Sequence, residues 1–215
     1  MINYMSFPLL EHYDKNFLFY YNGNICNNDG FINGNYWCRI TDAELPYEKQ
    51  VKFTSAVEQI SAHILAVREN ITLGNLELSS LHLSHPILEL YENLHTGLIN
   101  YSHIDEKVEF SLSILENTDP NVNLDFFDMQ TDEIIKVLDE AKITLISKDT
   151  LNDPVFKLDV FIDLVEMSKT EYIDATESNN EPFKIVEIQD SHAFLMKAKI
   201  YFIQLEIWNK IKKMK

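Results

Sequence analysis

Lys107-Val108-Glu109-Phe110-Ser111-Leu112-Ser113-Ile114 is the stretch on which the fold class turns. Four apolar residues alternate strictly with four polar ones, which is the period of a strand buried on one face. The run Asn117-Thr118-Asp119-Pro120-Asn121 follows. Its residues bond their own backbone or fix φ, and so favour a turn. Read this way, the stretch gives the chain a β-strand far from its N-terminus and makes the fold a mixture of helix and sheet.

A second β signal lies at the start of the chain. Ten of the 25 aromatic residues fall between Tyr4 and Trp37, and Gly23, Gly30 and Gly34 are three of the five glycines. Phe17 to Tyr21 has strand composition, and it runs into Asn22-Gly23-Asn24. A second Asn-Gly-Asn at 33–35 precedes Tyr36 to Ile40. Asn-Gly suits a two-residue hairpin turn because both positions tolerate positive φ. The expectation is an aromatic β-meander over 1–45, with Phe183–Ile188 as a further short strand.

Between these segments the period is helical. Phe53, Ala56, Val57, Ile60, Ile64 and Val67 lie on one face of a helix over 47–69. Thr41 and Glu44 have capping-box spacing ahead of it, with Pro46 in the first turn. Further helices are expected over 86–100, over 132–147 with Thr131 as cap, and over 154–168 with Asp153 as cap and Pro154 at the first helical position. Residues 71–83 read as strand or irregular, and 174–182 as a loop. The last helix, 191–213, is apolar on nearly every side from Ile200 to Trp208, which places it centrally in the core. No biased linker divides the chain. The expectation is one α+β domain over 1–215, helix-dominated, with about five helices, a small antiparallel sheet, and a mainly helical part over 46–215.

The 215 residues carry 34 acidic and 18 basic side chains, a net charge of −16. With 46% hydrophobic residues the chain folds despite that charge. A nucleic-acid binder needs cations to displace phosphate counterions, so nucleic acid is excluded as a partner. An anionic membrane surface is excluded on the same ground. No run of 18 apolar residues and no secretory pattern occurs, so a cytoplasmic location is expected. In that compartment Cys26 and Cys38 are free thiols, although their spacing allows a bridge.

The charge is unevenly placed. Residues 105–181 hold 20 acidic and 6 basic side chains, a net of −14. Within them Asp159, Asp163 and Glu166 fall on one ridge of a helix, opposite Leu158, Phe161, Ile162 and Val165. These three carboxylates are the expected contacts for a basic protein partner.

Reaction chemistry is poorly signalled. No Gly-x-Gly-x-x-Gly, Walker A, His-Glu-x-x-His, Cys-x-x-Cys or Gly-x-Ser-x-Gly motif occurs. His82, His85, His95 and His103, with Glu89 and Glu92, crowd one region and suggest a metal. Glu92 and His95 have the Glu-x-x-His spacing of di-iron bundles, but no second copy exists. His63, on the edge of an apolar helix face, reads as a buried, hydrogen-bonded histidine. The expectation is a non-enzymatic protein with no cofactor, no metal and no catalytic residue, which binds a basic partner through its acidic surface. In general character the chain resembles bacterial toxin-neutralising immunity proteins, which are small, acidic and without catalytic motifs. That resemblance implies a stoichiometric inhibitor of a toxin such as a nuclease, and it carries over no site residue. The alternatives are a metalloprotein or enzyme built on the His/Glu cluster at 82–103, and a structural or assembly subunit.

Overall fold

The structure, a computed structural model, describes residues 45–85, 90–117 and 124–213, with the backbone alone of four short segments in the first 44 residues. Two compact units divide the chain, Met1–Ala43 and Glu44–Lys215. In the first, Phe19–Tyr21 pairs antiparallel with Asn24–Cys26, and Phe31–Ile32 with Tyr36–Trp37. These are two separate two-stranded pairings rather than one meander.

The second unit is all helix among its described residues. Its helices are α1 (Tyr47–Thr72), α2 (Leu76–His85), α3 (Tyr91–Leu98), α4 (Ser102–Asn117), α5 (Leu124–Leu145), α6 (Lys148–Asn152), α7 (Pro154–Glu177) and α8 (Glu181–Lys213). The expected α+β fold with a sheet is therefore wrong: the described residues of the body form eight helices and no strand.

The decisive stretch, 107–114, lies inside α4. Its buried apolar residues are Ile104, Val108, Leu112 and Leu115, spaced four, four and three apart. That is a helical stripe, and it extends well beyond the eight alternating residues. Val108 and Leu112 satisfy both periods. Phe110, which a strand would bury with them, is 64% exposed. Phe183–Ile188 is likewise the first turn and a half of α8, where Val186 and Glu187 are buried and Ile185 and Ile188 are exposed.

α1 is the centre of the unit and packs against α2, α3, α5, α7 and α8. It is buried on nearly all sides from Gln50 to Val67, and Ser55, Ala56, Ser61, Ala62 and Ala66 let neighbouring helices come close. A buried carboxylate ties this centre to two neighbours. Lys142 of α5 donates to Glu58 Oε1 at 2.8 Å, Lys197 of α8 to Oε2 at 3.0 Å, and Tyr201 Oη to Oε1 at 2.9 Å. Burial works to raise the Glu58 pKa, but the two ammonium groups outweigh it and hold the carboxyl below its ordinary value.

The Asp153 cap stands as expected. Its Oδ1 accepts from Val155 N at 2.6 Å and from Phe156 N at 3.4 Å, and Pro154 opens α7. Thr131 does not cap a helix. It sits within α5 and donates to Asp128 O at 2.7 Å. Most of the expected loop at 174–182 is helix, since α7 runs to Glu177 and α8 begins at Glu181. The middle of α8 is also not central to the core: Ile200, Phe202, Ile203, Ile207 and Trp208 are all exposed. α8 has 33 residues and its hairpin partner α7 has 24, so the last nine residues of α8 outrun α7. No described helix is long and apolar enough to cross a membrane.

Candidate metal centre

The turn between α1 and α2 folds α2 back along α1. Gly74, at φ 77°, makes that reversal possible. Its amide donates to Ile71 O at 3.0 Å, and Asn75 N donates to Asn70 O at 2.8 Å. The result is that His82 of α2 lies beside His63 of α1, with ring centroids 6.3 Å apart.

α8 closes the site from another side with Asp190. Its Oδ1 is 2.8 Å from His63 Nδ1 and 2.9 Å from His82 Nδ1. All three side chains are buried, with side-chain exposures of 2% for His63 and 0% for His82 and Asp190. One ligand atom from each lies within 4.8 Å of the others. Phe194, one turn further along α8, packs edge-on against His63 at 5.2 Å.

Gln189 orients His82. Its Oε1 lies 2.8 Å from His82 Nε2 and also accepts from Asn70 Nδ2 at 3.1 Å. Asn70 Nδ2 is fixed in turn by Ala66 O at 2.9 Å. An oxygen accepts only, so His82 Nε2 carries the proton and donates. In the neutral ring Nδ1 then presents a lone pair to the Asp190 carboxylate. Two acceptors at 2.9 Å repel unless a proton or a metal cation lies between them. A histidine whose far nitrogen donates to a carbonyl is the usual outer arrangement of a metal-ligating imidazole.

Two more carboxylates lie close by. Glu187 is buried one turn before Asp190 on α8, and Glu171 of α7 hydrogen-bonds to it. Burial, that hydrogen bond and the charges of Glu187 and Asp190 push Glu171 up to about 9. The Glu171–Glu187 pair therefore holds a proton between its two carboxyl groups at neutral pH. A separate cleft of about 330 Å³, lined in part by Lys52, Phe53, Gln59, Gly97 and Asp163, contains none of the three cluster residues.

Of the residues expected to form a His/Glu site, His82 alone among those whose side chains are described reaches this cluster. His95 instead bonds Asp105 at 2.6 Å, with Tyr91 Oη donating to the same carboxylate at 3.1 Å. Glu92 and His103 are exposed. The side chain of His85, and Glu89 altogether, lie outside the described residues, as does Cys38, while Cys26 is described by its backbone alone. Sequence reasoning missed Asp190, which sits 127 positions from His63 with no motif to join them. It also assigned His63 to bland burial, which is right about its environment and silent about its partners.

The expected partner-binding carboxylates divide. Asp159 accepts from Tyr47 Oη at 2.7 Å, and Asp163 is buried in an ion pair with Lys52. Burial and Asp159 together push the Tyr47 hydroxyl up to about 12. Only Glu166 is exposed, while Leu158 and Ile162 of the opposite face are turned outward. The ridge faces α1 because α1 supplies its cation and its hydroxyl donor.

The fold and the cluster together define a unit that is helical throughout its described residues, with two imidazoles and a carboxylate converging inside it. No family model, curated protein or solved structure matches the chain.

Proposed function

We propose that the protein binds a divalent first-row transition ion through His63, His82 and Asp190. The observation that supports this reading is the convergence of two Nδ1 atoms on one buried carboxylate, with His82 held in the ligating tautomer by Gln189. Two nitrogens and one oxygen suit zinc, ferrous iron or cobalt rather than calcium or magnesium, which prefer oxygen alone. In a tetrahedral zinc site, ligand atoms about 2.0–2.1 Å from the metal stand ~3.3 Å from one another. The observed 2.8 and 2.9 Å need to open by only a few tenths of an ångström.

The three ligands come from α1, α2 and α8, so a bound ion fastens the central helix to two others. Binding to the folded state alone adds about 2.7 kcal/mol of stability at a hundredfold excess over Kd. All three side chains are at most 2% exposed, so the role supported is metal binding within the fold.

Elemental analysis of the full chain, purified without chelator and then after chelation, tests this. About one equivalent of zinc, iron or cobalt per chain, lost from His82→Ala and Asp190→Asn, supports the reading. Metal-free protein that takes up none of these ions on addition contradicts it.

The second reading is an acidic face that docks on a basic protein in the cytoplasm, and the net charge of −14 over 105–181 favours it. In this reading Glu166 makes the contact, and Asp159 and Asp163 serve the fold. Capture of a basic partner that salt releases, and that Glu166→Lys weakens, tests it.

A further inference from the structure

α8 buries one side against the body of the unit, through Val186, Glu187, Asp190, Phe194 and Ala198. Its other side is largely apolar, with exposed Lys199, Glu206 and Lys210 set among the apolar residues. Ile185, Ile188, Met196, Ile200, Ile203, Ile207 and Ile211 are between 41% and 53% exposed. With His192 between Ile188 and Met196, they step by three or four residues along a single stripe. From Ile185 to Ile211 the stripe is ~39 Å long at 1.5 Å per residue. Monomeric proteins rarely expose so many large apolar residues along one helix face.

The stripe is close to self-complementary. Turned end for end about position 198, Ile185 falls on Ile211 and Met196 on Ile200, while Ile188 comes within one residue of Ile207. Charge then selects an orientation. Asp174, Glu177 and Glu181 are exposed at one end of the α7–α8 hairpin, and Lys210, Lys212 and Lys213 at the other. An antiparallel pairing of two α8 helices sets each lysine cluster beside the other copy's carboxylates. A parallel pairing stacks like charges at both ends.

We propose that this face docks a second copy of the chain, giving a two-fold dimer with the α8 helices antiparallel and crossing near position 198. Such an isologous interface uses the same patch twice, which a self-complementary stripe permits. The nine residues of α8 that outrun α7 then pack against the other copy's hairpin rather than stand in water.

Sedimentation of the full chain across two decades of concentration tests the assembly. The expected result is a dimer of twice the chain mass. Ile203→Glu with Ile207→Glu should yield a monomer of unchanged far-ultraviolet helicity. If that pair of charges disrupts the helix, Ile203→Ser with Ile207→Ser should weaken the dimer at least tenfold. Replacing Lys210, Lys212 and Lys213 by Glu should also weaken it at least tenfold, with the loss larger at low salt. Orientation is read with spin labels in a Cys26→Ser, Cys38→Ser background. A label at Lys199→Cys should give a short distance between copies, and one at Lys210→Cys a long one. A wild-type chain that stays monomeric at the highest concentration overturns the proposal, whether residues 1–43 or nothing covers the stripe. So does a dimer that the Ile203 and Ile207 substitutions leave intact.

Discussion

His82 Nε2 lies 2.8 Å from Gln189 Oε1, and this one hydrogen bond decides what the opposite side of the ring can do. With the proton on Nε2, the neutral ring turns its Nδ1 lone pair towards Asp190, 2.9 Å away. Gln189 touches no proposed ligand atom other than through the ring it orients, so it is a positioning residue.

Gln189→Leu should therefore leave the three ligands in place and still weaken the ion. Outer partners of metal-bound histidines are worth roughly 10- to 100-fold in affinity. Gln189→Glu, which keeps an acceptor for Nε2–H, should recover part of the loss. Zinc titration of the two variants checks this; equal affinity for Gln189→Leu and wild type would show that the ring needs no orienting.

Gly74 carries the reversal that brings His82 to His63. Gly74→Ala places a side chain at φ 77° in open space, since no atom lies within 4 Å of the added Cβ. The cost is backbone strain alone, about 1 kcal/mol. Gly74→Asn should cost less, because Asn tolerates the left-handed region. Urea unfolding of both variants reads the difference, and an Ala variant as stable as wild type would contradict the account of the turn.

Gly97 of α3 meets the central helix. An added Cβ would stand 2.6 Å from Phe53 Cδ2, inside any real contact distance. Phe53 is only 4% exposed and lines the cleft beside Gly97, so its ring must leave its packed position to make room. Overpacking costs about 1–3 kcal/mol, which outweighs the gain of about 1 kcal/mol that Ala brings to a helix. Gly97→Ala should lower Tm; a raised Tm would mean that α3 can move off α1.

Glu58 predicts a pH dependence of definite sign. Its folded pKa is depressed below the ordinary 4.5 by Lys142 and Lys197, against the opposing effect of burial. The unfolded state then binds the proton more tightly. The stabilisation is fully present above pH 4.5 and is lost as pH falls through the depressed value. Removing one member of a buried ion network costs about 3 kcal/mol. Glu58→Gln should be that much less stable than wild type at pH 7, and the gap should narrow below pH 4.5. A gap that does not change with pH would place the stabilisation in packing instead.

The charge pattern and the starts of α1 and α7 could be read from the sequence. The Asp153-Pro154 start of α7 was readable because caps act locally. The period of α1 was readable because its stripe is long. α4 was not, since Val108 and Leu112 fit both periods and only the exposure of Phe110 separates them. The outward apolar face of α8 misled for a related reason. Apolar residues on all sides of a helix signal full burial only if neighbours flank every side, and the described residues cover only one side of α8. Nor could composition reveal that Asp159 and Asp163 face α1. That depends on Tyr47 and Lys52, more than a hundred positions away. The metal cluster is non-local in the same way, since one ligand comes from each of three helices and only the Gly74 turn hints at two of them meeting.

Calorimetric titration of chelator-treated full chain with zinc, beside His82→Ala, is the most direct test of the metal centre. The structure predicts one ion per chain for wild type, a raised Tm on binding, and neither effect in His82→Ala. Absence of binding heat and an unchanged Tm in wild type, or identical binding by both proteins, would contradict it.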